Sequence, residues 1–164
     1  MDAPKFWALV RSQESQYQLN LHGEIGEWCD IDEREFAQAL AGIPAEAPLA
    51  ISLNSQGGDV FPAVAIYRAI CKWKGPVSIT IDGIAASAAT LIAAAPNAKV
   101  IMPVGSMLML HSPWSYVPGN AKQLRRVADA LDSVQLSMLG IYQAKCGLDE
   151  ATLVEILEKE TYLS

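Results

Sequence analysis

Short apolar runs alternate with helix-patterned stretches through the middle of this chain, and that alternation restricts the fold more than any other feature. Residues 49–53, 77–81, 98–102 and 107–110 each read as a short strand. Between the first two, Val60, Val64, Tyr67 and Cys71 mark one face of a helix. Asp59 suits its start, Lys72 and Lys74 suit its end, and Gly75-Pro76 stops it. Residues 86–95 form a small-residue helix ended by Pro96-Asn97. Strands that alternate with helices favour parallel pairing, so the predicted class is α/β.

The flanks extend the pattern. Over 16–25, Tyr17, Leu19 and Leu21 alternate with polar neighbours, as a strand with one buried face requires. Asp32 opens a helix with Phe36, Leu40 and Ile43 at helical spacing, punctuated by Pro44 and Pro48. A long helix is predicted from about Asn120 to Lys145, with Gly147 as the residue just past its end, and a last short helix over 149–159. In the long helix Leu124, Val127, Leu131, Val134, Met138 and Ile141 alternate three and four residues apart, a heptad seam. It reads either as the helix's own core stripe or as a face that pairs with another subunit.

Composition narrows the partners. The 164 residues are 51% hydrophobic and 18% charged, enough for one core, so residues 1–164 are read as a single domain. A net charge of −6 argues against non-specific binding of nucleic acid or anionic membrane. Cys29, Cys71 and Cys146 fit neither a zinc spacing nor a disulfide framework; they read as buried thiols of a reducing compartment. No metal and no cofactor is expected. Residues 1–10 lack the pattern of a secretory leader, and the apolar stretch 83–95 is short of the ~20 residues of a membrane helix, so a soluble cytoplasmic protein is expected.

Three constellations carry chemistry. The first is Asn54-Ser55-Gln56-Gly57-Gly58 between a strand and a helix, where two glycines let backbone N–H groups approach a ligand and cradle an oxyanion. No Lys-Ser/Thr pair follows, so it is not a phosphate loop of the Walker type; alone it reads as a tight turn. The second is Gly83-Ile84-Ala85-Ala86-Ser87-Ala88-Ala89, a serine with small neighbours at a strand-to-helix turn; alone it reads as a capping serine. The third is His111, at the end of a strand, a candidate general base that alone reads as a hydrogen-bonded histidine. His22, on the polar side of its strand, reads as structural.

Their co-occurrence changes the weight. A serine nucleophile needs a base, and the base needs an orienting acid. The acids further along are Asp129, Asp132, Asp149, Glu155, Glu158 and Glu160, and spacing does not choose among them.

The segments Leu53-Asn54-Ser55-Gln56-Gly57-Gly58-Asp59, Gly83-Ile84-Ala85-Ala86-Ser87-Ala88 and Met107-Leu108-Met109-Leu110-His111-Ser112-Pro113 resemble the Clp-type serine peptidases. The match is closest to their phage branch, the head maturation (prohead) proteases. His22-Gly23-Glu24-Ile25-Gly26 and Gly119-Asn120-Ala121 also fit, and the resemblance covers roughly 18–164. It implies a Clp/crotonase-like spiral of strand-helix repeats with a projecting handle helix at about 120–146. It also implies Ser87 as nucleophile, His111 as base, and the N–H groups of Gly58 and Ala88 as oxyanion hole. Glu160 holds the place of the family's aspartate, before Thr161-Tyr162-Leu163-Ser164, and Gln56 replaces the usual proline. Gly57, Ser112 and Trp114 would bind an extended peptide, with Tyr116 beside them. Relatives continue past Ser164, so a truncated C-terminus is expected, and residues 1–15 do not look like the axial loop that engages an ATP-driven unfoldase, so no such partner is expected.

The resemblance thus implies a hydrolase: a serine endopeptidase acting by an acyl-enzyme, assembled as a ring-shaped homo-oligomer. Its phage branch implies scaffold or capsid substrates during virion assembly, in host cytoplasm or an immature capsid. The alternatives are a crotonase-like acyl-CoA enzyme and a catalytically inactive Clp-like component of capsid assembly.

Overall fold

Alternation along three strands decides which face of the sheet turns inward. Leu19, Leu21 and Ile25 are buried in β2 (Tyr17–Ile25), Leu49, Ile51 and Leu53 in β3 (Leu49–Gly58), and Val77, Ile79 and Ile81 in β4 (Val77–Ala86). Each such side chain contributes about 1.5–3 kcal/mol when fully buried. The computed structural model describes residues 17–164 and the backbone of β1 (Leu9–Arg11). Apart from that strand, the reading of residues 1–15 and the strand position of Gln16 lie outside the described residues.

The three strands pair in parallel, and β1 lies antiparallel beside β2. One edge of β4 is shared end to end: Val77–Thr80 carries β5 (Ala98–Ile101), and Ile84–Ala86 carries β6 (Met107–Leu110), both in parallel. β7 (Thr161–Leu163) closes the order antiparallel to β6. The fold is α/β with a mostly parallel sheet, as the alternation predicts.

Helices cover the apolar face. α1 (Glu33–Ala41) buries Phe36 and Ala39, and its N-cap Asp32 accepts from Arg34 N. Hydrogen bonds from Arg34 hold the Asp32 carboxyl down, to about 2. α2 (Val60–Cys71) buries Ala63, Ile66 and Ile70. This corrects the expected face: Val60, Val64, Tyr67 and Cys71 are the half-buried flank of a wider apolar face that packs against neighbours on both sides. α3 (Ala88–Ala93) buries all six of its residues. The thiol expectation is also corrected, because Cys29 and Cys146 are exposed and Cys71 is half-buried, all three free.

α4 (Ala121–Cys146) opens with a capping box between Asn120 and Gln123 and ends at Gly147. Its buried residues are Met138, Leu139, Ile141 and Tyr142, all in its last third. The first part projects away with Leu124 exposed and Val127, Leu131 and Val134 half-buried. Twenty-six residues make a rod about 39 Å long. Lys145 pins its base, donating to Ala95 O at 3.0 Å and Ala98 O at 2.7 Å. α5 (Glu150–Glu158) follows, its N-cap Asp149 accepting from Thr152 N. Among the described residues no helix is long and apolar enough to cross a membrane.

Candidate active site

The two strands predicted to stop at Leu53 and Ile81 run on. β3 reaches Gly58 and β4 reaches Ala86, because their parallel partners continue alongside. The extensions are irregular: between the pairs Leu53↔Ile81 and Ser55↔Ala85, Asp82, Gly83 and Ile84 stand against Asn54 alone. The Asn54 side-chain oxygen accepts from Ile84 N at 3.2 Å and so satisfies an amide in the bulge. The bulge re-aims the end of β4 toward the cleft.

Ser87 follows at once. Its backbone sits at φ 54°, ψ −127°, a strained conformation for a residue with a Cβ. Ser87 N donates to Met109 O at 2.8 Å, which ties the elbow to β6. The register Ala86↔Met109 then sets the chain just beyond β6 beside the elbow, and His111 Nε2 lies 2.7 Å from Ser87 Oγ. The serine and the histidine, 24 residues apart in sequence, are thus joined by strand register.

The glycine turn closes the other side. Gly57 (φ 98°) and Gly58 (φ 138°) occupy conformations that side chains disfavour. A Cβ on Gly57 would lie 2.7 Å from Ala86 O and Ser87 Cβ and 3.0 Å from Ala88 N; one on Gly58 would lie 2.1 Å from Ile25 O. The turn therefore abuts the elbow, and only glycine permits it. Gly57 N donates to Ser55 Oγ at 3.0 Å. A cleft of about 720 Å³ opens here, lined by Gly57, Gly58, Ser87, His111, Trp114 and Met138 among others. Gln56 lines it as well, in the place of the expected proline.

The acids separate on geometry. Asp129 and Asp132 ride the exposed, projecting part of α4. Asp149 is engaged with Thr152, which holds its carboxyl below the usual range, and Glu155 pairs with Lys159. Glu158 and Glu160 border a second, open depression of about 700 Å³ together with His111 and Ser112. Glu160 sits in a turn at φ 49°, and its carboxylate makes no hydrogen bond to His111 among the described residues. Ser112 N donates to Leu157 O at 3.2 Å, while Trp114 and Tyr116 are 72% and 92% exposed. Val60, Met109 and Met138 line the cleft but were not predicted as site residues from the sequence. Met138 belongs to the heptad seam, which nonetheless marked it as apolar and inward.

His22 finds a partner elsewhere. Its Nε2 lies 2.7 Å from Ser52 Oγ, and the Ser52 hydroxyl donates to Asp82. Because the serine proton points at the carboxylate, the imidazole must donate to the serine. Such a serine has no imidazole placed to receive its proton.

A serine hydroxyl bonded to an imidazole at a strained elbow, beside a turn of backbone amides, is an arrangement found in serine hydrolases. The family described as Clp protease matches residues 34–164. The chain belongs to the Clp protease family, a family of serine peptidases. It is 28% identical over 161 residues to the ATP-dependent Clp protease proteolytic subunit 2 of Treponema denticola, covering 96% of this chain and 79% of that one. It is 28% identical over 113 residues to the ATP-dependent Clp protease proteolytic subunit of Borreliella afzelii, covering 68% of this chain but only 57% of the relative. ClpP1 of Listeria monocytogenes, solved as an N165D mutant, superposes with a TM-score of 0.75 at 20% identity, over 90% of this chain and 82% of the other. The architecture is therefore the Clp fold.

Proposed function

We propose that the protein is a serine endopeptidase that cleaves peptide bonds through an acyl-enzyme on Ser87. The observation that carries the reading is the 2.7 Å contact between His111 Nε2 and Ser87 Oγ at the mouth of the glycine-lined cleft. In this reading His111 takes the hydroxyl proton as Ser87 attacks the carbonyl carbon. The amides of Gly58 and Ala88 hold the oxyanion, and each such donor is worth roughly 10²–10³ in rate. His111 then gives the proton to the leaving amine, and water releases the acyl group by the same route. Glu160 orients His111 once the turn at 160 closes on the ring. The peptide lies extended beside Gly57 and Ser112, with Trp114 over the cleft.

The projecting two-thirds of α4, with its half-buried seam, supports assembly into a ring-shaped homo-oligomer. The resemblance of the serine and histidine segments to prohead proteases supports scaffold or capsid proteins as substrates. Membership of the Clp family removes the case for an acyl-CoA enzyme. One observation favours a second reading, a catalytically silent Clp-like shell component: the Glu160 carboxylate stands unbonded to His111.

Fluorophosphonate labelling separates the two. The wild type is expected to label at Ser87, and His111→Ala to label at background. An unlabelled wild type in its assembled form overturns the peptidase reading.

A further inference from the structure

The peptide unit joining Ser87 to Ala88 is gripped from behind. Its carbonyl oxygen accepts two hydrogen bonds from one residue, Thr90 N at 3.0 Å and Thr90 Oγ1 at 2.6 Å. Thr90 is 4% exposed, and its Oγ1 lies 2.7 Å from the hydroxyl of Tyr142 on α4. A threonine hydroxyl has one proton, and here the Ser87 carbonyl receives it. Tyr142 is therefore the donor to Thr90, and a directed chain runs from Tyr142 O–H through Thr90 O–H to the Ser87 carbonyl. Burial pushes the Tyr142 hydroxyl up to about 12, so it stays protonated.

A trans peptide unit is planar, with its C=O and N–H pointing in opposite directions. Fixing the Ser87 carbonyl inward therefore fixes the Ala88 N–H outward. Outward is where the glycine turn abuts, since a Cβ on Gly57 would come within 3.0 Å of Ala88 N. Hydrogen bonds donated to a carbonyl also polarise the amide and strengthen its N–H as a donor, by about 10–30% per bond.

We infer that Thr90 and Tyr142 are positioning residues which aim and polarise the Ala88 N–H as an oxyanion donor, making the reactive centre depend on how the base of α4 is seated. This rests on the proposed roles of Ser87 and Ala88. Met138, one turn before Tyr142, lines the cleft itself, so the same stretch of α4 touches both the substrate space and this chain. Any tilt of the projecting rod reaches the peptide unit through Tyr142.

The test uses the full chain in its assembled form. Thr90→Val alone strands the buried Tyr142 hydroxyl, so the informative variant is Thr90→Val/Tyr142→Phe, which removes both partners and leaves an apolar contact. Its kcat on a peptide substrate is expected to fall about tenfold with KM within about twofold. Affinity for a peptidyl boronate, whose tetrahedral adduct places an oxygen at the oxyanion position, should fall by the same factor. Thr90→Ser should restore both. A folded double variant with kcat and boronate affinity unchanged, or with only KM raised, overturns the inference. Should the double variant not fold, Tyr142→Phe decides alone: it leaves the Thr90–Ser87 bond in place, and kcat should fall about threefold at constant KM. Unchanged kcat there also overturns it. Failure of the peptidase reading looks different, because wild-type Ser87 then takes no fluorophosphonate at all.

Discussion

Two clusters in this molecule are built from a serine and a histidine, and they differ in what stands at the end of the proton's path. In one, Ser87 meets His111 at the edge of the cleft, on a strained elbow, with the serine hydroxyl free to donate to the imidazole. In the other, Ser52 lies between His22 and Asp82 on the polar face of the sheet, in regular strand, with its hydroxyl hydrogen-bonded to the carboxylate instead of the imidazole. The second cluster has all three residue types of a triad, hydrogen-bonded, yet in the wrong order. Composition of a cluster therefore says less than its direction: a nucleophile needs a base to receive its proton, a position the neighbouring backbone leaves open, and amides where the negative charge will form.

The strongest way to break that contrast is to truncate each serine in turn. Ser87→Ala is expected to lower peptide cleavage on the order of 10⁶-fold, toward background, while Ser52→Ala leaves kcat within about threefold. Equal losses from both would erase the distinction between the clusters. Next in size is Gly57→Ala. Its Cβ would press on Ala86 O at 2.7 Å and on Ala88 N at 3.0 Å. A turn displaced by that pressure should cost about 10²-fold in kcat, comparable to losing one oxyanion donor, with the thermal transition still cooperative.

Much of this was legible in the sequence, and the failures have physical causes. Short apolar runs exposed the strand cores 49–53 and 77–81, because their apolar side chains are buried in the core. They did not expose the last residues of these strands: Gln56-Gly57-Gly58 and Asp82-Gly83-Ile84 carry no such run, and they become strand only through the partner alongside. β7 was invisible for a similar reason, since three residues bear no period. The face of α2 was misassigned because a helix packed on both flanks buries more than one stripe. Ser87 and His111 stood out only as a pair in a known order. Thr90 and Tyr142 could not stand out at all: 52 residues separate them, and each looks like an ordinary member of a buried helix face. Glu160 was found by resemblance alone, and its geometry beside His111 narrows the acids only to itself and Glu158.

That narrowing invites a test of middling size. Glu160→Gln should lower kcat about tenfold, modest for a residue in this role because among the described residues its carboxylate makes no bond to His111 for the substitution to break. Glu158→Gln should change it less than about twofold. The reverse result would transfer the orienting role to Glu158 and would show that the turn at Glu160 does not close on the imidazole.

The smallest effect belongs to the other cluster and is read as stability. Ser52 is 6% exposed and hydrogen-bonds to both His22 and Asp82, which links β2, β3 and β4 across the polar face. Its hydroxyl is thus a strand tie. Ser52→Ala should cost about 1 kcal/mol in unfolding free energy, since Asp82 is exposed and water replaces its lost partner. A double-mutant cycle with His22→Phe should return a coupling of about 0.5–1 kcal/mol, with fluorophosphonate labelling of Ser87 unchanged in every corner of the cycle. Zero coupling would mean that the contact between His22 and Ser52 adds nothing to the fold. Labelling that tracked the coupling would mean that the polar face is wired to the cleft, most directly through Asn54, which neighbours Ser52 on β3 and holds the bulge leading to Ser87.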